Sequence, residues 1–234
     1  ILALAEPVLK KAKVKVRSTS ADILIALDIS DSMLAQDVYP NRLDLAKKKA
    51  LELIEKATQE RVGVIAFAKN SYLVSPISFD AKTVSFLLSK LDASSISQKG
   101  TDILTMLETV AATHTNADEK YLLILSDGGD KKDFTNEITY AKEKGIIIFV
   151  LGMGTHDGIT VNDEDGSLIK YADIPIVSKL NSSISELATQ TGGVYIQNTS
   201  SSKDIESMYP QILKHSERIE LISKEVQMYV SLFY

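Results

Sequence analysis

Residues 22–32 read Asp-Ile-Leu-Ile-Ala-Leu-Asp-Ile-Ser-Asp-Ser, and they combine a candidate central strand with a set of candidate oxygen ligands. Ile23 to Leu27 form an unbroken apolar run, which is typical of a strand buried on both faces in the middle of a parallel sheet. Directly after it, Asp28, Ser30 and Ser32 recur at every second position, so an extended chain would place all three side chains on one side. A carboxylate and two hydroxyls offer only oxygen ligands, which suit a hard cation such as Mg²⁺. A simple Ser/Asp turn explains the segment equally well, and the rest of the chain has to decide.

The composition excludes several classes of protein. The chain has 234 residues, which is room for one large or two small domains with a sizeable core. Its net charge of −5 argues against nucleic-acid binding, because binding phosphates relies on a basic surface. The absence of cysteine excludes disulfides, thiol nucleophiles and thiolate metal sites. No apolar run reaches the roughly 18 residues of a membrane span.

Both ends of the chain are apolar. Residues 1–9 look like the tail of a hydrophobic segment, and residues 226–234 look like the start of another, with aromatic side chains that suit a membrane interface. Two terminal strands are the alternative. We therefore predict a central domain over 20–222, with an N-terminal flank at 1–19 that includes a strand with one basic face, and a C-terminal flank at 223–234.

Apolar strands and amphipathic helices alternate along the central domain. Further strands are predicted at 62–68, 72–77, 121–125, 146–151 and 194–196. Helices are predicted at 42–58, 81–91, 103–111, 134–144, 183–191 and 202–222. The short connection at Lys69-Asn70 implies a hairpin, and hence one antiparallel edge strand. The pattern predicts an α/β fold with a doubly wound, mostly parallel sheet and helices on both faces.

Residues 157–176 break this alternation with an acidic cluster, Asp163-Glu164-Asp165-Gly166. A calcium loop does not fit, because Val161 stands where its first Asp should be and no Glu follows at the twelfth position. Asp-Gly between apolar pairs is a standard hairpin turn. We therefore predict a β-hairpin insertion on the surface rather than a metal loop.

Two further loops carry oxygen ligands towards the same edge of the sheet. Asp127 ends its strand just as Asp28 ends the first one, and Thr101 lies in a loop that leads into a helix. Thr101 or Asp102 could simply be the N-cap of that helix. In doubly wound sheets, however, ligands bind in the crevice at the carboxyl ends of the strands. The full set of Asp28, Ser30, Ser32, Thr101 and Asp127 is therefore more specific than any one piece.

At these residues the sequence resembles the von Willebrand factor A (VWA) domain family, which has a Rossmann-like fold. The pattern of its metal-ion-dependent adhesion site (MIDAS), Asp-x-Ser-x-Ser, Thr and Asp, is met in full. The sequence is more closely similar to one bacterial branch, the Bat aerotolerance membrane proteins, over roughly residues 20–200. The matching stretches are 32–38, 40–43, 61–68, 186–188 and 191–193. Asp31 departs from the pattern, since a small or basic residue is expected between the two serines, and it adds negative charge beside the site.

The resemblance implies how such a site works. Ser30, Ser32 and Thr101 would contact Mg²⁺ or Mn²⁺ as neutral hydroxyls, while Asp28 and Asp127 act largely through water. The ion keeps positive charge and an open position, which an Asp or Glu of a protein partner can fill. The Bat resemblance also implies a domain on the periplasmic side of the bacterial inner membrane. Other Bat-type membrane proteins and a MoxR-type AAA+ ATPase are the partners it suggests.

Enzyme interpretations have less support. Asp28-x-Ser30 is similar to a phosphatase pattern in which an aspartate nucleophile stands two residues before an aspartate acid, but Ser30 cannot be that acid. A serine hydrolase needs a base, and none of the three histidines, His114, His156 and His215, accompanies a Gly-x-Ser-x-Gly elbow. There is no Gly-x-x-x-x-Gly-Lys loop for a nucleotide. We expect a non-enzymatic, metal-dependent protein-binding module, with a metal-dependent phosphatase or hydrolase using Asp28 as the alternative.

Overall fold

The computed structural model describes residues 17–95, 100–113, 120–162, 166–215 and 219–222. The chain divides into two compact units, the larger of which is Ala21–Glu217. In the smaller unit, only two strands are described, β1 (Arg17–Ser20) and β12 (Ile219–Ile222), which pair antiparallel with Arg17 opposite Ile222. The predicted hydrophobic ends at 1–9 and 226–234 lie outside the described residues, as does most of the predicted basic strand.

The larger unit contains the predicted alternation of strands and helices. Its main strands are β2 (Asp22–Asp28), β3 (Arg61–Phe67), β4 (Ser71–Ser78), β5 (Lys120–Ser126), β6 (Ile146–Gly152) and β11 (Tyr195–Gln197). Its helices are α1 (Arg42–Lys56), α2 (Ala81–Ser89), α3 (Ile103–Thr113), α4 (Thr135–Glu143), α5 (Ser185–Thr191) and α6 (Lys203–His215). The side chain of Asn41 accepts a hydrogen bond from the Asp44 amide, so Asn41 is the N-cap of α1, as the sequence predicts.

The six main strands form one sheet in the order β11-β6-β5-β2-β3-β4. Every neighbouring pair is parallel except β3 and β4, which are antiparallel, so β4 is the predicted antiparallel edge strand. Strand β2 lies inside the sheet, with Ile23 opposite both Val62 of β3 and Tyr121 of β5. The predicted doubly wound α/β architecture is therefore confirmed.

Alternate residues of β2 face two different layers of helices, which explains why its sequence is apolar throughout. Ile23 and Ile25 belong to a buried cluster with side chains of α1, α2 and α6, such as Leu53. Leu24 and Ala26 belong to a second cluster with side chains of α3, α4 and α5. Burial on both faces favours a central parallel strand and brings its end, Asp28, to the carboxyl edge of the sheet.

The insertion is more elaborate than the single predicted hairpin. Strand β7 (Ile159–Thr160) pairs antiparallel with β10 (Val177–Ser178), and β8 (Lys170–Tyr171) pairs antiparallel with β9 (Ile174–Pro175). An isolated antiparallel bridge joins Asn162 to Leu168 on either side of the predicted turn, whose residues 163–165 lie outside the described part. The insertion therefore extends to Ser178.

The predicted helix over 202–222 is wrong at its C-terminal end. Helix α6 ends at His215 and keeps Pro210 inside it, and residues 219–222 form a strand instead. Pairing with β1 supplies backbone hydrogen bonds that the helical pattern of the sequence could not reveal. Among the described residues, no helix combines the length and the apolar character needed to cross a bilayer.

Candidate metal site

Two carboxylates lie at the ends of neighbouring parallel strands. Strands β2 and β5 run in register, with Leu27 opposite Leu125, so Asp28 and Asp127 follow at the same edge. Both are almost wholly buried. The Ser126 hydroxyl donates a hydrogen bond of 2.5 Å to Asp28 Oδ2 and thereby ties one strand end to the other.

The two serines lie in the chain that leaves β2. The Ile29 amide donates to the Phe67 carbonyl at 2.9 Å, which continues the β2–β3 pairing past the strand. The Ser30 amide then donates to Asp28 Oδ1 at 2.9 Å, and a turn of 3₁₀ helix begins at Asp31. This arrangement leaves the Ser30 and Ser32 hydroxyl oxygens 3.1 Å apart.

Thr101 reaches the same place from the loop before α3. The carboxylate of Asp102 accepts a hydrogen bond from the Thr105 amide, so Asp102 serves as the cap at the start of α3 and Thr101 does not. The Thr101 side chain packs against Gly129 in the Asp127 loop, where an added Cβ would lie 3.1 Å from Thr101 Cβ. Gly129 has φ +57° as well, so both its conformation and its close approach favour glycine.

The structure brings all five predicted site residues together. Ser30, Ser32, Thr101 and Asp127 line one cleft of 380 Å³, and Asp28 lies beneath them with no exposed surface. Asp31, the departure from the family pattern, lines the same cleft. The predicted convergence of three loops is therefore present.

The electrostatics of the cleft favour a cation. Burial, and then the charge of neighbouring Asp127, raise the pKa of Asp28 to about 7, although hydrogen bonds from Ser126 and Ser30 oppose the rise. A cation in the cleft would favour the charged form of Asp28.

The oxygen spacing fits Mg²⁺. In an octahedral shell with ligands at about 2.1 Å, neighbouring ligands lie about 3 Å apart, and the Ser30 and Ser32 hydroxyls are separated by 3.1 Å. The donors are hydroxyls and carboxylates, which hard cations prefer. No cluster of three or more His, Cys, Asp or Glu side chains that could hold a metal occurs in the described part of the chain. The candidate ligands of this cleft are therefore hydroxyls together with carboxylates.

A buried arginine, which the sequence analysis did not include in the site, contacts Asp127. Arg42 Nη1 donates to Asp127 Oδ2 at 2.7 Å and to the Ser178 hydroxyl at 2.6 Å, and the Arg42 side chain is wholly buried. Ser178 Oγ lies 3.1 Å from the same Asp127 oxygen. The other oxygen, Oδ1, accepts from the Gly129 amide at 3.0 Å. Both oxygens of Asp127 are thus held by the protein, which fits a carboxylate that acts on an ion through water.

Asp37 holds the other side of the arginine. Arg42 Nε and Nη2 donate to its two oxygens, each at 2.8 Å, and the Thr155 amide and hydroxyl donate to Oδ2 at 2.7 and 2.9 Å. Gly154, with φ +108°, leaves room for the guanidinium, since a Cβ there would lie 2.4 Å from Arg42 Nε. The network therefore joins α1, the loop after β6 and the insertion to the cleft.

One signal in the sequence could have pointed to Arg42. It stands at the start of the stripe Arg42, Ala46, Lys49 and Leu53, whose steps of four, three and four residues place all four on one face of a helix. A charged residue on an apolar face is buried only if it is paired. Arg42 and Lys49 are both paired with carboxylates, those of Asp37 and Asp127 and that of Asp204.

The fold is that of a von Willebrand factor type A domain. The family model for this domain matches residues 23–129, and the chain belongs to this family. It is similar to the structure of an aerotolerance-related membrane protein from Bacteroides fragilis, with 30% identity, 83% of this chain and 100% of that chain covered, and a TM-score of 0.76. For the conserved hypothetical protein BatB from Bacteroides thetaiotaomicron, the identity is 30%, the coverage 83% and 98%, and the TM-score 0.78.

A curated relative gives less functional information. A UPF0353 protein of Mycolicibacterium paratuberculosis is 28% identical over 188 residues, which cover 74% of this chain and 57% of the relative. The chain thus spans less than two thirds of that relative's length. Together, the comparisons identify a VWA domain of the Bat type, which is consistent with a protein-interaction module.

Proposed function

We propose that this domain is a metal-ion-dependent protein-binding module, which holds Mg²⁺ or Mn²⁺ at Ser30, Ser32 and Thr101. Asp28 and Asp127 support the ion largely through water. When bound, the ion supplies a positive charge and an open position for an Asp or Glu side chain of a protein partner. The observation that carries the proposal is the convergence of three hydroxyls above two buried carboxylates in one cleft.

The protein's own groups have separate tasks in this proposal. Ser126 and the Ser30 amide fix the two oxygens of Asp28, so that this carboxylate cannot turn away from the cleft. Arg42 and the Gly129 amide fix those of Asp127 in the same way. The three hydroxyls are neutral, so the ion's charge is not cancelled by its direct ligands and remains available to a partner's carboxylate.

Calorimetric titration with Mg²⁺ or Mn²⁺ tests the metal site. Thr101→Val keeps the shape of the side chain but removes its hydroxyl, and we expect it to weaken binding at least ~10-fold, the lower range for the loss of a group that supports a metal. Thr105→Val is the matched control, because Thr105 is similarly half-buried in α3 but does not line the cleft. Equal binding by the wild type and both variants would rule the site out.

A randomised peptide library displayed on phage tests partner binding. Panning in Mg²⁺ with elution by EDTA should enrich peptides that contain Asp or Glu, because only an acidic side chain can fill the open position. The Thr101→Val domain should enrich far fewer of them, and the Thr105→Val domain should behave like the wild type. Enrichment that is the same in EDTA as in Mg²⁺ would refute metal-dependent binding.

We further propose that the full-length protein is anchored in the bacterial inner membrane, with this domain in the periplasm. The support is the similarity to a protein described as an aerotolerance-related membrane protein and to the conserved hypothetical protein BatB. Other Bat-type proteins and a MoxR-type AAA+ ATPase are the partners we propose for it. Protease added to intact spheroplasts should digest the domain, and protection until lysis would place it on the cytoplasmic side.

A further inference from the structure

A second cavity adjoins the metal cleft. It measures 740 Å³, and it shares four lining residues with the cleft: Gly129, Asp130, Val177 and Lys179. Its other walls come from the loop before α4, the segment after β6 and the 3₁₀ turn before α5. A segment of a partner that enters the cleft between Asp130 and Val177 therefore meets this cavity next.

The charge of the second cavity is opposite to that of the cleft. Lys132, Lys179 and His156 line the cavity, and Asp130 is the one carboxylate among the described residues that line it. Lys132 and Lys179 are exposed, and neither forms an ion pair with a described residue. By contrast, three carboxylates line the cleft, those of Asp31, Asp127 and Asp130, and Lys179 is the one cation among its described lining residues. On a chain with a net charge of −5, this cavity presents cationic groups to an incoming ligand.

The floor of the cavity is bonded to the loop that carries Asp127. The Asn181 amide donates to the Asp127 carbonyl at 2.8 Å, and Asn181 Nδ2 donates to the Gly129 carbonyl at 3.0 Å. Asn181 Oδ1 accepts from the Ser183 amide at 3.1 Å, so the 3₁₀ turn is fixed to the same loop. The cavity and the cleft therefore keep a constant separation, which a partner can match with two groups at a fixed spacing.

We infer that the second cavity binds a second acidic side chain of the same partner segment whose first acidic side chain enters the metal cleft. This inference rests on the proposed function and specifies its partner as a peptide segment with two carboxylates. Lys132 and Lys179 attract the second carboxylate, and the hydroxyl of Ser182, 3.5 Å from His156 Nδ1, is a further donor at the wall. Because the lysines are exposed, the gain is modest and decreases with salt.

The test uses peptides recovered from the phage library with the wild-type domain in Mg²⁺. They should contain two acidic residues at one recurring spacing. For a synthetic peptide of this kind, fluorescence anisotropy at low salt should show binding about 2- to 5-fold tighter than for the same peptide with its second acidic residue changed to the corresponding amide. Lys132→Gln should reduce this difference, because Lys132 lines the second cavity only, while Lys179 remains. Lys48→Gln, an equal charge change at an exposed position of α1, should preserve it.

The outcomes separate the two proposals. Recovery of peptides with a single acidic residue, in Mg²⁺ only, would overturn the second-cavity inference and leave the proposed function standing. Equal effects of Lys132→Gln and Lys48→Gln would also overturn it, because the attraction would then be a property of the whole surface. Absence of any Mg²⁺-dependent enrichment would refute the proposed function and the inference with it.

Discussion

Replacement of Arg42 by methionine tests whether its buried ion pairs stabilise the candidate metal cleft. The side chain has no exposed surface and gives two hydrogen bonds of 2.8 Å to Asp37 and one of 2.7 Å to Asp127. Methionine replaces only the aliphatic part of the arginine side chain and leaves both carboxylates without their buried cation. Removing one partner of a buried pair costs ~3–5 kcal/mol, a large part of the ~5–15 kcal/mol that stabilises a typical domain.

Urea unfolding in EDTA, with a double-mutant cycle, measures this contribution. For a domain of this size, ~3–5 kcal/mol corresponds to a fall in melting temperature of roughly 6–20 °C. Asp37→Asn should also destabilise the protein, and the double variant should lose at least ~1 kcal/mol less than the sum of the single variants, because they remove the same interaction. Lys48→Met, on the exposed side of α1, is the control and should change stability by no more than ~0.5 kcal/mol.

Two results would refute this reasoning about Arg42. One is a loss below ~1 kcal/mol for Arg42→Met, which would mean that the buried pairs only balance their desolvation cost. The other is a coupling energy with Asp37 below ~0.5 kcal/mol, the value found for independent sites. We also expect Mg²⁺ to reduce the loss of stability caused by Arg42→Met, because a bound ion would restore a positive charge beside Asp127.

Three further predictions concern acid stability, catalysis and the last helix. Burial raises the pKa of Asp37, but hydrogen bonds from Arg42 and Thr155 and the charge of Arg42 outweigh it and hold the pKa below 3.8. The stability that Asp37 contributes is therefore complete above about pH 4 and is lost as the pH falls through the lowered pKa. In a profile of melting temperature against pH, Asp37→Asn should flatten this acid part. An unchanged profile would contradict the pairing of Asp37 with Arg42. Hydrolysis of phosphate-ester, ester and peptide substrates in Mg²⁺ should stay at background, because Asp28 is buried and both of its oxygens are hydrogen-bonded. Hydrolytic activity that Asp28→Asn abolishes would revive the phosphatase alternative. The rate of amide hydrogen exchange in α6, over residues 203–215, should change when Mg²⁺ and an acidic peptide bind. If the peptide binds and the exchange rate stays the same, the domain is a static binding surface.

The sequence predicted those parts of the site that follow directly from buried strands. Burial on both faces leaves an apolar run such as Ile23 to Leu27, and the first carboxylate after such a run marks the carboxyl edge of the sheet. Asp28 and Asp127 are both found in this way. Thr101 depended on the family pattern, because a threonine before a helix is equally typical of an N-cap.

The contacts that the sequence did not reveal are long-range. Arg42 lies 85 residues from Asp127 and 136 residues from Ser178, and no local pattern records which carboxylate a buried guanidinium will meet. Residues 219–222 fit a helical pattern, but pairing with β1 decides their conformation. In both cases the tertiary partner determines the outcome, and a partner distant in the chain leaves no periodic signal.

Helix α1 connects the metal cleft to α6 through two buried cations. Arg42, in its first turn, contacts Asp127, and Lys49, about two turns later, pairs with Asp204 of α6 at 2.7 Å, with both side chains of that pair wholly buried. If α6 has two alternative positions, a ligand can shift the equilibrium between them only by the difference in its binding free energy to each, typically ~1–3 kcal/mol. Breaking a buried pair costs more, ~3–5 kcal/mol. A movement of α6 that is driven by a ligand must therefore keep the Lys49–Asp204 pair intact. Because this pair links α6 to α1, the two helices either move together or both remain in place.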